Sequence, residues 1–183
     1  MSPGRTGRGR RRAEASLVDA ARRHLEQEGF RVWVDPDGRD YFDLVARRAD
    51  EVGLVEAKVA DGRAVLAQAL RRRAWGDWVA VVVASERTAR ALEALTREGR
   101  AAPVGLWWIE GDALHILRAP RAWARPGEPD PFVELRARFR RVLDALESGA
   151  LPSPVRWDGV VGEVRRASGG RGFREWRLDE PGR

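Results

Sequence analysis

Lysine occurs once in this chain, at Lys58, and the residues around it have the chemistry needed for hydrolysis. Of the 34 Lys and Arg residues in the 183-residue sequence, the other 33 are arginines. Arginine therefore supplies positive charge generally, and a retained lysine indicates a role for its compact amine beside a water molecule or a transferring phosphate. Glu56 lies two residues before Lys58, and twelve residues separate Asp43 from Glu56. We predict that these three side chains act together.

The positions of the three residues depend on two predicted β-strands joined by a short turn. Asp43 lies in the first apolar segment, and Glu56 and Lys58 lie in the second. Alternate residues of a strand share one face of the sheet. An even-length turn centred on residues 50–51 pairs Asp43 with Lys58 and places Asp43 diagonal to Glu56, on the same face and about 5–8 Å away.

Two carboxylates at that separation can hold one divalent cation, with the Ala57 carbonyl as a further ligand. Oxygen ligands favour Mg²⁺ or Mn²⁺. Such a cation would polarise a phosphoryl oxygen and activate a water, while Lys58 would orient that water or stabilise the transition state. The alternative is that Asp43 and Glu56 are solvated and that Lys58 is their ion-pair partner. Apolar neighbours along both segments argue against such an open face.

The run from Asp43 to Glu56-Ala57-Lys58 resembles the signature of the PD-(D/E)xK superfamily of restriction-endonuclease-like nucleases. The resemblance implies an αβββαβ core, which residues 13–84 match, with metal binding by Asp43 and Glu56 and assistance to the nucleophilic water by Lys58. Glu14 matches an accessory carboxylate on the first helix of many members. Gln68 resembles a glutamine on the helix after the motif in a poorly characterised prokaryotic branch. The chain departs from the family pattern in having no proline before Asp43.

Glu14 and Gln68 also have simpler explanations. An acidic residue near the start of a helix is favoured by the helix dipole, so Glu14 needs no catalytic role to be explained. Gln68 can be a polar residue at the edge of its helix. Both are therefore second-tier candidates for catalysis.

Hydrophobic periodicity predicts an α/β fold with three α/β/α layers around a central mixed sheet. The almost wholly apolar segment 78–84 is typical of a buried central strand. The predicted helices are 13–28, 62–74, 86–98 and 132–147, and the predicted strands are 30–34, 41–47, 53–59, 78–84, 104–109 and 113–117.

We predict four regions along the chain. Residues 1–12 form a flexible basic arm, residues 13–118 the nuclease-like core, and residues 119–151 a linker and C-terminal helix. Residues 152–183 form an extension rich in Arg, Trp and Gly, which is loosely ordered or binds nucleic acid. In the second case its arginines contact phosphates, and its rings contact exposed bases. Those rings are Trp157, Phe173 and Trp176.

Composition narrows the function classes further. The net charge of +6 favours a polyanionic partner. The chain has no cysteine, which excludes thiolate metal sites and thiol catalysis and fits a cytoplasmic location. A phosphate loop of the Gly-x4-Gly-Lys type is excluded because Lys58 follows no glycine. No apolar segment approaches the roughly 20 residues of a membrane span.

Together these observations predict a nuclease that uses Mg²⁺ or Mn²⁺ to hydrolyse phosphodiester bonds in DNA. RNA is the other candidate substrate, no membrane partner is expected, and a homodimer is compatible with the sequence. One alternative is a protein that keeps the nuclease fold but binds nucleic acid without cleaving it. Another is an interaction module of a larger DNA-processing or defence assembly. Metal-dependent cleavage separates the nuclease from both alternatives.

Overall fold

The computed structural model describes residues 4–35, 41–123, 129–151, 154 and 156–167. These residues form an α/β fold built on a six-stranded mixed sheet whose strands lie side by side in sequence order. The strands are β1 (Arg31–Val34), β2 (Leu44–Arg48), β3 (Glu51–Lys58), β4 (Trp78–Val83), β5 (Gly105–Glu110) and β6 (Ala113–Arg118). The helices are α1 (Gly4–Gln27), α2 (Gly62–Arg72), α3 (Glu86–Leu95), α4 (Val133–Glu147) and α5 (Trp157–Ala167), with a 3-10 turn at Gly99–Ala101.

Helices cover both faces of the sheet, which confirms the predicted three-layer architecture and the αβββαβ order. Leu17, Ala21 and Leu25 of α1 pack on one face, against a cluster that includes Val55 and Ala57. The other four helices pack on the opposite face in a larger cluster. All six residues of β4 are buried, as expected for a central strand. Within the described ranges, no helix has both the length and the apolar character needed to cross a membrane.

Strand directions bring the ends that carry the predicted site to one edge of the sheet. β2 runs antiparallel to β1 and β3, whereas β3, β4 and β5 are parallel. The start of β2 and the carboxyl end of β3 therefore lie side by side. Asp43 immediately precedes β2, and Glu56 to Lys58 end β3.

The turn between β2 and β3 differs from the prediction. It consists of Ala49 and Asp50, because Arg48 pairs with Glu51. Ala49 adopts a left-handed conformation with φ of 52°, and Arg47 Nε donates to its carbonyl at 2.8 Å. Two-residue hairpin turns use such positive φ values because they match the strand twist. The predicted turn centre at 50–51 was therefore one residue too late.

This turn moves the strand register by two residues. Leu44 pairs with Val55, and continuing the ladder by one residue places Asp43 opposite Glu56. The predicted pairing of Asp43 with Lys58 was wrong. A shift of two residues keeps every side chain on its original face, so Asp43 and Glu56 still share a face.

Helix α1 begins at Gly4, nine residues before the predicted start at Ala13. Residues 4–12 thus continue this helix and are not a separate arm, while residues 1–3 lie outside the described part of the chain. The first predicted helix and the Arg-rich segment are therefore one element.

The C-terminal region contributes to the main hydrophobic cluster, which therefore extends beyond the predicted 13–118 segment. Helix α5 lies inside the predicted 152–183 extension. Trp157, Val161 and Val164 recur at helical spacing and are buried in the same cluster as Phe139 of α4. The ring of Trp157 is 1% exposed, which contradicts its predicted role in stacking on exposed bases. Phe173 and Trp176 lie outside the described residues.

Candidate active site

Asp43 and Glu56 are held side by side by the β2–β3 pairing. Asp43 Oδ2 accepts a hydrogen bond from the backbone N–H of Ala57 at 2.8 Å. Both residues lie on the strand face that carries Val45 and Leu54. These two residues belong to the hydrophobic cluster that includes the buried residues of α2. Glu56 is 2% exposed, so the open, solvated strand face considered as an alternative does not exist at this position.

Glu56 is buried, and its ion-pair partner is Arg72. Arg72 Nε donates to Glu56 Oε1 at 3.0 Å. Burial raises the pKa of Glu56 to about 8, and the attraction of Arg72 only partly opposes that rise. The nearby Asp43 carboxylate raises the pKa of Glu56 further. A divalent cation at this carboxylate would favour its ionised form.

Asp43 belongs to the same electrostatic group. Burial raises its pKa, while the Ala57 N–H bond and the positive charges of Lys58 and Arg72 act to lower it. The carboxylate of Glu14 acts in the raising direction. Charges from three elements, α1, β3 and α2, therefore act on one carboxylate at the sheet edge.

Lys58 and Glu14, predicted on separate elements, meet at the carboxyl end of β3. Lys58 Nζ lies 3.7 Å from Glu14 Oε1, and the Lys58 side chain is 27% exposed. The lysine is therefore reachable from solvent, whereas Glu56 is nearly enclosed. Gln68 is partly buried on α2, one helical turn before Arg72. Within the described residues it makes no hydrogen bond to Asp43, Glu56 or Lys58.

The oxygen atoms at this edge could supply part of the coordination of a Mg²⁺ or Mn²⁺ ion, with substrate and water supplying the rest. Asp43 Oδ1 and Glu56 Oε2 accept no hydrogen bond from the described residues. The Ala57 N–H points to Asp43, and in an extended strand the C=O of the same residue points to that side too. The described residues contain no group of three acidic, His or Cys side chains arranged for a metal. Mg²⁺ commonly uses one or two carboxylates together with waters and substrate phosphates.

Arg72, Tyr41 and Arg165 are neighbours of the site that sequence analysis missed. The guanidinium carbon of Arg72 lies 3.7 Å from the centre of the Tyr41 ring. Arg165 Nη2 of α5 donates to Tyr41 Oη at 2.7 Å. A signal for Arg72 was present, because it continues the helical spacing of the buried residues Val65 and Ala69. No comparable signal exists for Arg165, which is 124 residues away from Tyr41.

Comparison of the chain with known protein families, with characterised proteins and with solved structures found no match. The interpretation of this edge of the sheet therefore depends on its own residues and geometry.

Proposed function

We propose that this chain is a nuclease that uses Mg²⁺ or Mn²⁺ to hydrolyse phosphodiester bonds in DNA. The observation that carries the proposal is the arrangement of Asp43 opposite Glu56, with Lys58 two residues further along the same strand face. Paired carboxylates beside an amine are suited to phosphate chemistry, because the carboxylates bind a cation and the amine stabilises negative charge. The net charge of +6 suits a polyanionic substrate.

Each residue has a distinct role in this proposal. Asp43 and Glu56 would hold the cation, and each has one carboxylate oxygen that accepts no hydrogen bond from the described residues. A bound cation supplies polarisation of a phosphoryl oxygen and a lower pKa for the attacking water. Lys58 orients that water and stabilises charge on the phosphate. Glu14 positions the Lys58 ammonium, which lies 3.7 Å from it.

Gln68 and the Ala57 carbonyl have supporting roles. The Ala57 carbonyl would be a further ligand on the side of Asp43, and Gln68 is a half-buried polar group on α2, the helix that also carries Arg72. A cytoplasmic location is part of the proposal, because a chain without cysteine needs no oxidising compartment.

The deciding experiment incubates purified protein with labelled linear, nicked, single-stranded and branched DNA, and with RNA, in Mg²⁺, Mn²⁺ or EDTA. We expect cleavage of DNA only with metal, and its loss in Asp43→Asn and Glu56→Gln. Asp50→Asn is the matched control, since Asp50 is an exposed acid in the turn of the same hairpin. Cleavage that persists in EDTA, or in both site variants, would contradict the proposal.

A second candidate is a protein of this fold that binds nucleic acid without cutting it. The observation in its favour is that both acids next to Asp43 already have a cationic partner in the chain, Arg72 for Glu56 and Lys58 for Glu14. Such a protein would bind DNA equally well with and without metal and would leave every substrate intact. The same incubation, with binding measured in parallel, distinguishes the two functions.

A further inference from the structure

Arg72 is fixed in position by contacts on several sides. Its Nε donates to Glu56 Oε1 at 3.0 Å, and its guanidinium lies 3.7 Å from the centre of the Tyr41 ring. Tyr41 in turn accepts a hydrogen bond from Arg165 of α5. An arginine held in this way loses little further conformational freedom when it binds a ligand, so its position is preorganised.

Most of the hydrogen-bonding capacity of Arg72 remains available for a ligand. A guanidinium carries five N–H donors, and the described residues accept only the one at Nε. The buried side-chain nitrogens that lack a partner in the described residues include none from Arg72. Nη1 and Nη2 therefore keep some contact with solvent, and the Arg72 side chain as a whole is 11% exposed.

The place that Nη1 and Nη2 can reach lies next to the proposed cation position. Arg72 binds one oxygen of Glu56, while the other oxygen, Oε2, is left for the cation. The positive charge of Arg72 also acts on Asp43, the second carboxylate of the pair. A group that bridges this cation and the arginine must be a small anion with several oxygens. Phosphate has that geometry, and a planar guanidinium binds it through two parallel hydrogen bonds.

We propose that Arg72 is a further catalytic residue, which binds the phosphodiester at the cleavage position through Nη1 and Nη2. The inference rests on the nuclease function proposed above. A fixed guanidinium next to the reacting phosphate stabilises the negative charge that develops as the bond to the leaving oxygen breaks. Arginine is suited to this place because it stays charged and its planar group stacks on Tyr41.

The test uses the full chain with two substitutions that separate charge from shape. Arg72→Lys keeps a positive charge next to Glu56 but removes the planar fork. Arg72→Gln keeps an N–H donor for Glu56 but removes the charge. Arg97→Gln is the control, because Arg97 is exposed and distant in sequence from every residue of the site. Urea unfolding of each variant establishes that the fold is retained.

Three quantities are measured: the single-turnover cleavage rate, the Kd for Mn²⁺ by calorimetry, and the Kd for an eight-nucleotide DNA strand in Ca²⁺. We expect Arg72→Lys to lower the rate by about 10²- to 10³-fold while changing the Kd for Mn²⁺ by less than about threefold. Arg72→Gln should in addition flatten the salt dependence of oligonucleotide binding by about 0.7 in the log–log slope, as expected for one lost contact to a single strand. Arg97→Gln should resemble the parent.

Two outcomes would overturn the inference. A parental rate and oligonucleotide affinity in Arg72→Lys would show that the fork is not used. Tighter Mn²⁺ binding in Arg72→Gln with unchanged oligonucleotide binding would make Arg72 only an internal counter-ion of Glu56. If the parent protein cleaves nothing, the Ca²⁺ binding comparison still tests the phosphate contact, so the failure of the proposed function and of this inference can be told apart.

Discussion

Lys58 combines partial exposure with a position next to two carboxylates, the half-buried Asp43 and the buried Glu56. Its Nζ lies near Glu14, and its charge acts on both Asp43 and Glu56. In a chain where arginine provides every other basic side chain, a simple ion pair with Glu14 could be made by arginine as well. The difference between the two side chains is chemical, since only the amine is compact and able to give up its proton.

We therefore predict that Lys58→Arg lowers the cleavage rate by roughly two to four orders of magnitude if the amine takes part in proton transfer. Folding and DNA affinity should change little, because the charge is retained. The measurement is single-turnover cleavage at saturating protein, with thermal unfolding as the check on the fold. A Lys58→Arg protein as active as the parent would refute the catalytic role of the amine.

The raised pKa of Glu56 predicts how the free energy of unfolding depends on pH. Its pKa is about 8 in the folded chain against 4.5 for an ordinary glutamate, chiefly because it is buried. Between these two values the folded state binds more protons than the unfolded state, so the free energy of unfolding falls as the pH rises. The loss amounts to at most about 1.4 kcal/mol per pH unit. Asp43, whose pKa burial also raises, contributes in the same direction.

Urea unfolding in metal-free buffer at pH 5, 6, 7 and 8 measures this effect. Glu56→Gln should flatten the decline with pH, whereas Glu98→Gln, at an exposed position, should reproduce the parent curve. Added Mg²⁺ should restore part of the stability at pH 8, because it favours the ionised carboxylate. Stability of the parent that rises from pH 5 to 8 would contradict the assignment of a buried, protonated Glu56.

At the scale of elements, helix α1 connects the Arg-rich segment to the site. The helix begins at Gly4 and carries Glu14, the partner of Lys58. At about 1.5 Å per residue, Gly4 lies roughly 15 Å along the helix from Glu14, ten positions earlier in the chain. Five arginines occur between residues 4 and 12. The Arg-rich segment and the residue that contacts Lys58 therefore belong to one helix.

We predict that deleting residues 1–12 weakens DNA affinity and flattens its salt dependence, because each lost phosphate contact removes a released counter-ion. Fluorescence anisotropy at several salt concentrations measures both quantities. A variant with glutamine at those five arginine positions keeps the length of the helix and should behave like the deletion. An unchanged salt slope in both proteins would exclude this segment from the DNA-binding surface.

At the scale of the whole molecule, the C-terminal helices and the site share one core. Trp157 of α5 contacts the rings of Phe42 and Phe139, each at 5.8 Å between centroids. Phe42 is the residue directly before Asp43. The aromatic cluster therefore supports the segment that carries the first carboxylate, although α5 lies more than a hundred residues later in the chain.

We predict that Trp157→Ala lowers the free energy of unfolding by about 3–5 kcal/mol, as for other large-to-small substitutions in a core. Trp157→Phe, which keeps most of the apolar volume, should cost clearly less. Chemical denaturation followed by circular dichroism measures both variants. A loss within about 0.5 kcal/mol for Trp157→Ala, the range of surface substitutions, would mean that α5 is an appendage and not a part of the core.

Local patterns in the sequence were enough to predict the class of fold and to pair Asp43 with Glu56 on one face of the sheet. Strand periodicity placed Asp43 and Glu56 on one face, and that conclusion survived a register error because the error was an even number of residues. Element order follows from periodicities of two and 3.6 residues, which neighbouring residues express regardless of the rest of the chain. The inequality between one lysine and 33 arginines was likewise visible in composition alone.

Only the tertiary structure decided which further side chains surround Asp43 and Glu56. The contact of Glu14 with Lys58, of Arg72 with Glu56 and of Arg165 with Tyr41 depends on how α1, α2 and α5 pack across the sheet. Packing of that kind is set by the shapes of whole buried faces, whereas sequence periodicity reports only which face of each element is buried. A buried arginine and an exposed one therefore look alike in sequence until the packed helices place one of them beside a carboxylate.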